Sequence, residues 1–160
     1  MVMQQYYSSD EIRQMEGEEF ILGTLALRKV IVNLLTYIPA EVVDYLMQHC
    51  LVISTWQNCD GQYFPSKLLR KKDIILLSEH LLDGDEDERD KTILHEFAHC
   101  WLRHQSPVLK DGMTGEEILR QEDEADELAY RWGRNMGKMF LVESSTQQAT
   151  CSGKVAFPID

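Results

Sequence analysis

In the stretch KTILHEFAHCW, residues 91–101, two histidines stand four positions apart with a glutamate directly after the first: His95-Glu96-Phe97-Ala98-His99. A helix turns by about 100° per residue, so His95 and His99 share one face and lie one turn apart. Their ring nitrogens can then converge on one tetrahedral zinc ion at about 2.0–2.1 Å. Glu96 lies one residue further around and can reach a water polarised by the metal without being a ligand itself. Zinc lowers the pKa of such a water and polarises a carbonyl, while a carboxylate accepts the proton. Ordinary residue frequencies produce HExxH by chance in roughly one chain of this length in a hundred or fewer, so a third ligand would add more than the motif itself.

A histidine is one possible third ligand. The metzincin extension needs glycine three residues after the second histidine and histidine six after. Leu102 and Gln105 occupy those positions, and His104 misses by one. A glutamate on a following helix is the other solution, and RQEDEADELAYRW (120–132) offers Glu122, Glu124 and Glu127. Helical phase separates them. Ile118, Glu122, Ala125, Ala129 and Trp132 form one stripe, apolar except for Glu122, whereas Glu124 shares a solvated face with Glu117, Arg120, Gln121, Glu127 and Arg131. A lone carboxylate on an apolar stripe is costly unless it is paired or metal-bound, so Glu122 needs a cation. The competing partner is an arginine. Ala125 and Ala129 are small enough to let the helices approach closely. Asp126, one turn beyond Glu122, can accept the N–H of a metal-bound imidazole and fix its orientation.

These residues need elements to position them. From Asp85 to His104 the pattern is helical, with Ile93, Leu94, Phe97, Ala98 and Trp101 as its apolar stripe. LDGDEDERD (82–90) suits a helix start, where acids complement the positive end of the dipole; an EF-hand would need glycine and glutamate at positions that lack them. Thr114 and Glu117 form a capping box that opens a second helix reaching Met136, after a loop over 105–115. Upstream, FILGTLALRKVIVNLLTYI (20–38) reads as a buried helix, and Pro39 opens another, PAEVVDYLMQHC. LVISTW (51–56) is a strand, QNCDGQYFPS a turn region, and DIILLSEHLL (73–82) begins as a second strand. The expected class is α+β with a short mixed sheet and a helical N-terminal part.

The organisation follows as one domain over 1–160: a helical part at 10–50, a core at 51–138 that holds the motif, and a polar tail at 139–160. A net charge of −11 repels phosphate backbones and anionic lipid, so neither nucleic acid nor membrane is expected as a partner. Lys67-Leu-Leu-Arg70-Lys71-Lys72 is too short a basic patch to change this. Arg28, Lys29 and Asn33 interrupt the longest apolar region, which argues against a membrane span. The start of the chain shows no signal peptide. Cys50, Cys59, Cys100 and Cys151 lack zinc-site spacing and read as reduced thiols, which with the polar start makes a cytoplasmic setting the expectation.

His95-Glu96-x-x-His99 followed by Glu122-x-Glu124-Ala125-Asp126 resembles the gluzincins, zinc metallopeptidases with two histidines and one glutamate. The compact size and the E-x-E-A-D form are most similar to the small intracellular members, the minigluzincins and the ImmA/IrrE-like group. The resemblance covers residues 73–136 and departs from that group at YRWGRNMGKMF, where an apolar Leu-Leu-Met-Pro-type end is usual. It implies a small zincin-like domain with one zinc per chain, held by His95, His99 and Glu122, with Glu96 as general base and Asp126 behind the ligands. It also implies that DIILLSEHLL supplies an edge strand for an extended peptide or protein substrate.

The expected function is therefore zinc-dependent hydrolysis of peptide bonds. The alternative is a zinc-stabilised regulatory or protein-interaction module with little proteolysis, for which Glu96 has no physical use. His104, Tyr130 and Arg103 are the candidates for oxyanion stabilisation, each better explained by packing or surface roles. His49, His80, Trp56, Tyr63 and Phe64 read as structural.

Overall fold

The computed structural model describes residues 5–15, 20–56, 61–65, 72–106 and 112–140. Across these residues the chain forms five α-helices and a four-stranded mixed sheet, so the α+β class holds. In chain order the elements are α1 (Ser9–Met15), β1 (Ile21–Leu22), α2 (Leu25–Leu35), α3 (Ala40–His49), β2 (Cys50–Thr55), β3 (Gly61–Phe64), β4 (Asp73–Ser78), α4 (Glu86–Leu102) and α5 (Gly115–Asn135). A 3-10 turn, Glu79–Leu82, links β4 to α4.

The sheet order is β1-β2-β4-β3. β1, β2 and β4 run parallel, while β3 pairs antiparallel to β4 with Gly61 opposite Leu77 and Tyr63 opposite Ile75. Two sequence expectations change here. The segment 20–38 is not one helix: Ile21 and Leu22 pair with Val52 and Ile53 before the helix begins. Thr24 ends the strand by accepting the Leu27 N–H as the cap of α2, and the Arg28 guanidinium donates to the Ile21 carbonyl at 2.7 Å. Secondly, β4 lies inside the sheet between β2 and β3, so the edge strand next to α4 is β3, in the region read as a turn. Two aromatic residues, Tyr63 and Phe64, are too few to show a period after Asp60-Gly61, and pairing with β4 is what makes Gly61–Phe64 a strand.

The core is continuous. Leu27, Ile31, Leu34 and Leu35 of α2 and Val43 and Leu46 of α3 join Val52, Ile75 and Leu77 of the sheet, and Ile93, Leu94 and Phe97 of α4 complete it. Asp85 caps α4 by accepting from the Asp87 and Glu88 N–H groups, so the acidic run is a helix start. α5 carries the expected capping box, with Thr114 and Glu117 exchanging hydrogen bonds. Among the described residues no helix is long and apolar enough to cross a membrane.

The thiol expectation is overturned for one pair. Cys50, at the start of β2, and Cys100, on α4, are joined as a disulfide, both fully buried. They stand 50 residues apart, and spacing rules that recognise local cysteine motifs are blind to such a pairing. Cys59, Cys151, the basic patch at 67–72 and the tail from 141 onward lie outside the described residues.

Candidate metal centre

α4 and α5 pack antiparallel, as the side-chain pairs between them show: His99 meets Glu122, His95 meets Asp126, and further along Asp90 meets Lys138. Ala125 and Ala129 are fully buried in this contact, and their small side chains let a glutamate one turn away reach across. Both histidines project from α4 at helical spacing with their Nε2 atoms facing each other at 2.8 Å. Glu122 Oε2 lies 3.3 Å from His95 Nε2, and its Oε1 lies 3.6 Å from His99 Nε2.

The other ring nitrogens are occupied elsewhere. His95 Nδ1 pairs with Asp126 Oδ1 at 2.7 Å, and His99 Nδ1 with His104 Nδ1 at 2.8 Å. With Nδ1 engaged outward, each imidazole turns its Nε2 toward Glu122, and a neutral ring with its proton on Nδ1 presents a lone pair there. Ligand atoms in a tetrahedral zinc shell lie roughly 3.3–3.4 Å from one another, given bonds of about 2.0–2.1 Å. The separations of 2.8, 3.3 and 3.6 Å bracket that value. Two imidazoles and one carboxylate are a donor set that zinc accepts, so these residues fit the ion.

Burial sets the electrostatics. It pulls the His95 pKa down, but hydrogen bonds to Asp126 and Glu122 outweigh it and raise the value to about 10. Burial dominates at His99 and lowers it. Burial would raise Glu122, yet hydrogen bonds from both histidines hold it well below the usual carboxylate range. Glu96, buried and close to the charge of Glu122, is pushed up to about 7 despite the opposing field of His95. A carboxyl that titrates near neutrality can both accept and return a proton.

β3 covers this glutamate. A Cβ placed on Gly61 would lie 2.8 Å from Glu96 Cγ and 2.9 Å from its Oε1, so only glycine leaves room there. Tyr63, two residues along, lies parallel to the His99 ring at a centroid distance of 6.2 Å, and its hydroxyl donates to Asp73 at 3.0 Å. Burial raises its pKa, so it remains a neutral phenol.

Other expected roles fall differently. Arg103 points away, donating to the Tyr45 hydroxyl at 3.1 Å, and Tyr130 lies under Arg134. His104 is buried and engaged with His99. Glu124 is not simply solvated: it pairs with His104 at 3.1 Å while Arg120 holds its other oxygen at 3.2 Å. Gln121, also assigned to the solvated face, is buried and exchanges two hydrogen bonds with the Gln105 backbone. His49 ends α3 and stacks on Tyr45; exposed His80 meets Trp56 edge-on. A second buried group, Cys50, Asp73 and Cys100, brings possible metal ligands together, but its sulfurs are bonded to each other and present no thiolate.

No protein-family model matches the chain, and neither the curated proteins nor the solved structures contain a detectable match. The residues themselves carry the functional reading. Helical phase brought His95, Glu96, His99, Glu122 and Asp126 into view. Gly61 and the pairing of His104 with Glu124 were missed, because the first depends on strand packing and the second on a chain reversal after α4. His104 standing five residues after the second histidine was the only local hint.

Proposed function

We propose that this chain is a zinc-dependent metallopeptidase, with His95, His99 and Glu122 holding one zinc ion and Glu96 acting as general base. The observation that carries the reading is the convergence of two Nε2 atoms and one carboxylate, all within 4.8 Å of one another, beside a buried glutamate. Bound there, zinc would supply Lewis acidity toward a carbonyl and acidify a water. Glu96 takes a proton from the attacking water and returns it to the leaving amine, a task that suits a carboxyl with a pKa of about 7. Asp126 holds the His95 ring in one tautomer and one orientation.

The substrate is an extended peptide or protein segment. Among the described residues β3 pairs only with β4, which leaves its outer edge free for a further strand. A peptide hydrogen-bonded along Gly61–Phe64 would run past Glu96, because Gly61 lies directly over that side chain. The disulfide withdraws the thiol argument for a cytoplasmic setting, so no compartment is proposed.

The test is Glu96→Gln. It should keep about one zinc per chain and lose roughly 10²–10⁴-fold in hydrolysis of an unfolded protein or peptide library. Undiminished cleavage by the variant would refute the mechanism. Zinc bound by both proteins with no cleavage by either would leave the interaction module as the better reading.

A further inference from the structure

α4 ends in a reversal that brings a third histidine back to the cluster. Arg103 adopts left-handed backbone with φ 56°, its N–H bonds the Cys100 carbonyl at 3.1 Å, and the His104 N–H bonds the His99 carbonyl at 3.0 Å. This is the Schellman arrangement, in which the second residue past the helix contacts the residue three places inside its end. That contact is usually apolar. Here it joins two imidazoles, His104 Nδ1 and His99 Nδ1, 2.8 Å apart. A left-handed conformation is sterically unfavourable for an arginine, and this reversal is what places His104.

With His104 and His99 both neutral, the protons along the line have one consistent arrangement. Glu124 is a carboxylate held by Arg120, so it accepts, and the proton between it and His104 belongs to His104 Nε2. A neutral His104 then has only a lone pair at Nδ1, which must be met by the Nδ1–H of His99. His99 in turn has its lone pair at Nε2, facing His95 and Glu122. Asp126 does the same for His95 directly, through one bond of 2.7 Å.

We infer that His104 and Glu124 form a positioning relay for the metal centre: Glu124, acting through His104, fixes the tautomer and ring orientation of His99. The inference rests on the metal-centre reading and adds two residues to it. His95 is oriented by a carboxylate and His99 by a neutral imidazole, a weaker acceptor, so the two ligands differ in basicity by construction. Tyr63 on β3 lies parallel to the His99 ring at a centroid distance of 6.2 Å, and the Nδ1 contact with His104 is the polar contact behind that ring.

The experiment measures zinc affinity by competition with a chromophoric chelator, and the visible spectrum of the cobalt-loaded protein, for wild type, His104→Phe, His104→Asn and Glu124→Gln. Thermal melting of each metal-free protein checks the fold. His104→Phe should bind zinc about 10–100-fold more weakly and shift the cobalt bands. His104→Asn should recover most of that loss, since its carbonyl oxygen can accept where Nδ1 did. Glu124→Gln should weaken binding several-fold, and it carries the test if His104→Phe does not fold. Zinc affinity within twofold of wild type for both His104→Phe and Glu124→Gln, with unchanged cobalt spectra, would overturn the relay. Equal losses for Phe and Asn would also overturn it, pointing to packing alone. A wild-type protein that binds neither metal would instead remove the metal-centre reading itself.

Discussion

The contact between α4 and α5 contains two polar clusters built on opposite principles. Near the start of α4, Asp90 is almost fully buried, yet its two oxygens are met by Arg89 at 2.7 Å and by Lys138 at 2.7 Å. Lys138 also reaches Asp87 at 2.8 Å and Glu86 at 3.1 Å. Each carboxylate there has a cation from the chain, and the cluster needs nothing further to be stable. One and a half turns along the same helix, His95 and His99 turn their Nε2 atoms toward one another and toward Glu122. The first cluster ties the segment that follows α5 to α4 through Lys138. The second gathers two imidazoles and the Glu122 carboxylate within 4.8 Å of one another, a donor set suited to a metal ion, and the proposed site rests on that difference.

The comparison can be broken most severely at Glu122. Glu122→Ala should weaken zinc binding by more than about 100-fold, whereas Glu124→Ala, acting only through His104, should cost roughly tenfold or less. Equal losses measured by chelator competition would erase the distinction between ligand and support. Gly61→Ala comes next. Its Cβ would push against Glu96, so peptide hydrolysis should fall about 10–100-fold while zinc affinity stays at the wild-type level.

Smaller effects probe the ion-pair cluster. Lys138→Met removes one of the two cations on Asp90 and should destabilise the protein by about 1–2 kcal/mol, lowering Tm by roughly 3–6 °C, with no change in zinc affinity. A loss of metal binding in that variant would show that the clusters are coupled.

The finest distinction is by pH. The Lys138 pKa is raised above 10.5, because the hydrogen bonds of Asp87, Asp90 and Glu86 outweigh its partial burial. Its contribution is therefore complete below 10.5 and lost only as pH rises beyond that. In chelator-treated protein the His95 pKa rises from 6.5 to about 10, so its contribution is complete below 6.5 and disappears between 6.5 and 10. The Tm of the metal-free protein should fall across that window. The deficit of Lys138→Met relative to wild type should stay constant through it.

Much of this was visible before any fold was known. The period of α4 set His95 and His99 on one face, and the phase of α5 separated Glu122 from Glu124 as the residue nearest the histidines. Both follow from the local geometry of a helix, where neighbours three and four apart are determined by the backbone alone. The caps at Asp85 and Thr114 are local for the same reason. Solvation of a helix face was less reliable: Gln121 and Glu124 belong to a polar face in sequence, and each found a partner beyond the end of α4.

What tertiary structure alone decided lies at longer range. β3 became the edge strand because β4 was captured between it and β2, an outcome of pairing that no four-residue pattern encodes. Cys50 met Cys100 because β2 and α4 share the core. His104 reached His99 because the chain reversed at Arg103, and residues on either side of such a reversal become neighbours only once backbone dihedrals outside the helix are fixed. Periodicity specified which side chains could act together along each helix; packing between the helices and the sheet specified what stands behind them and what lies over Glu96.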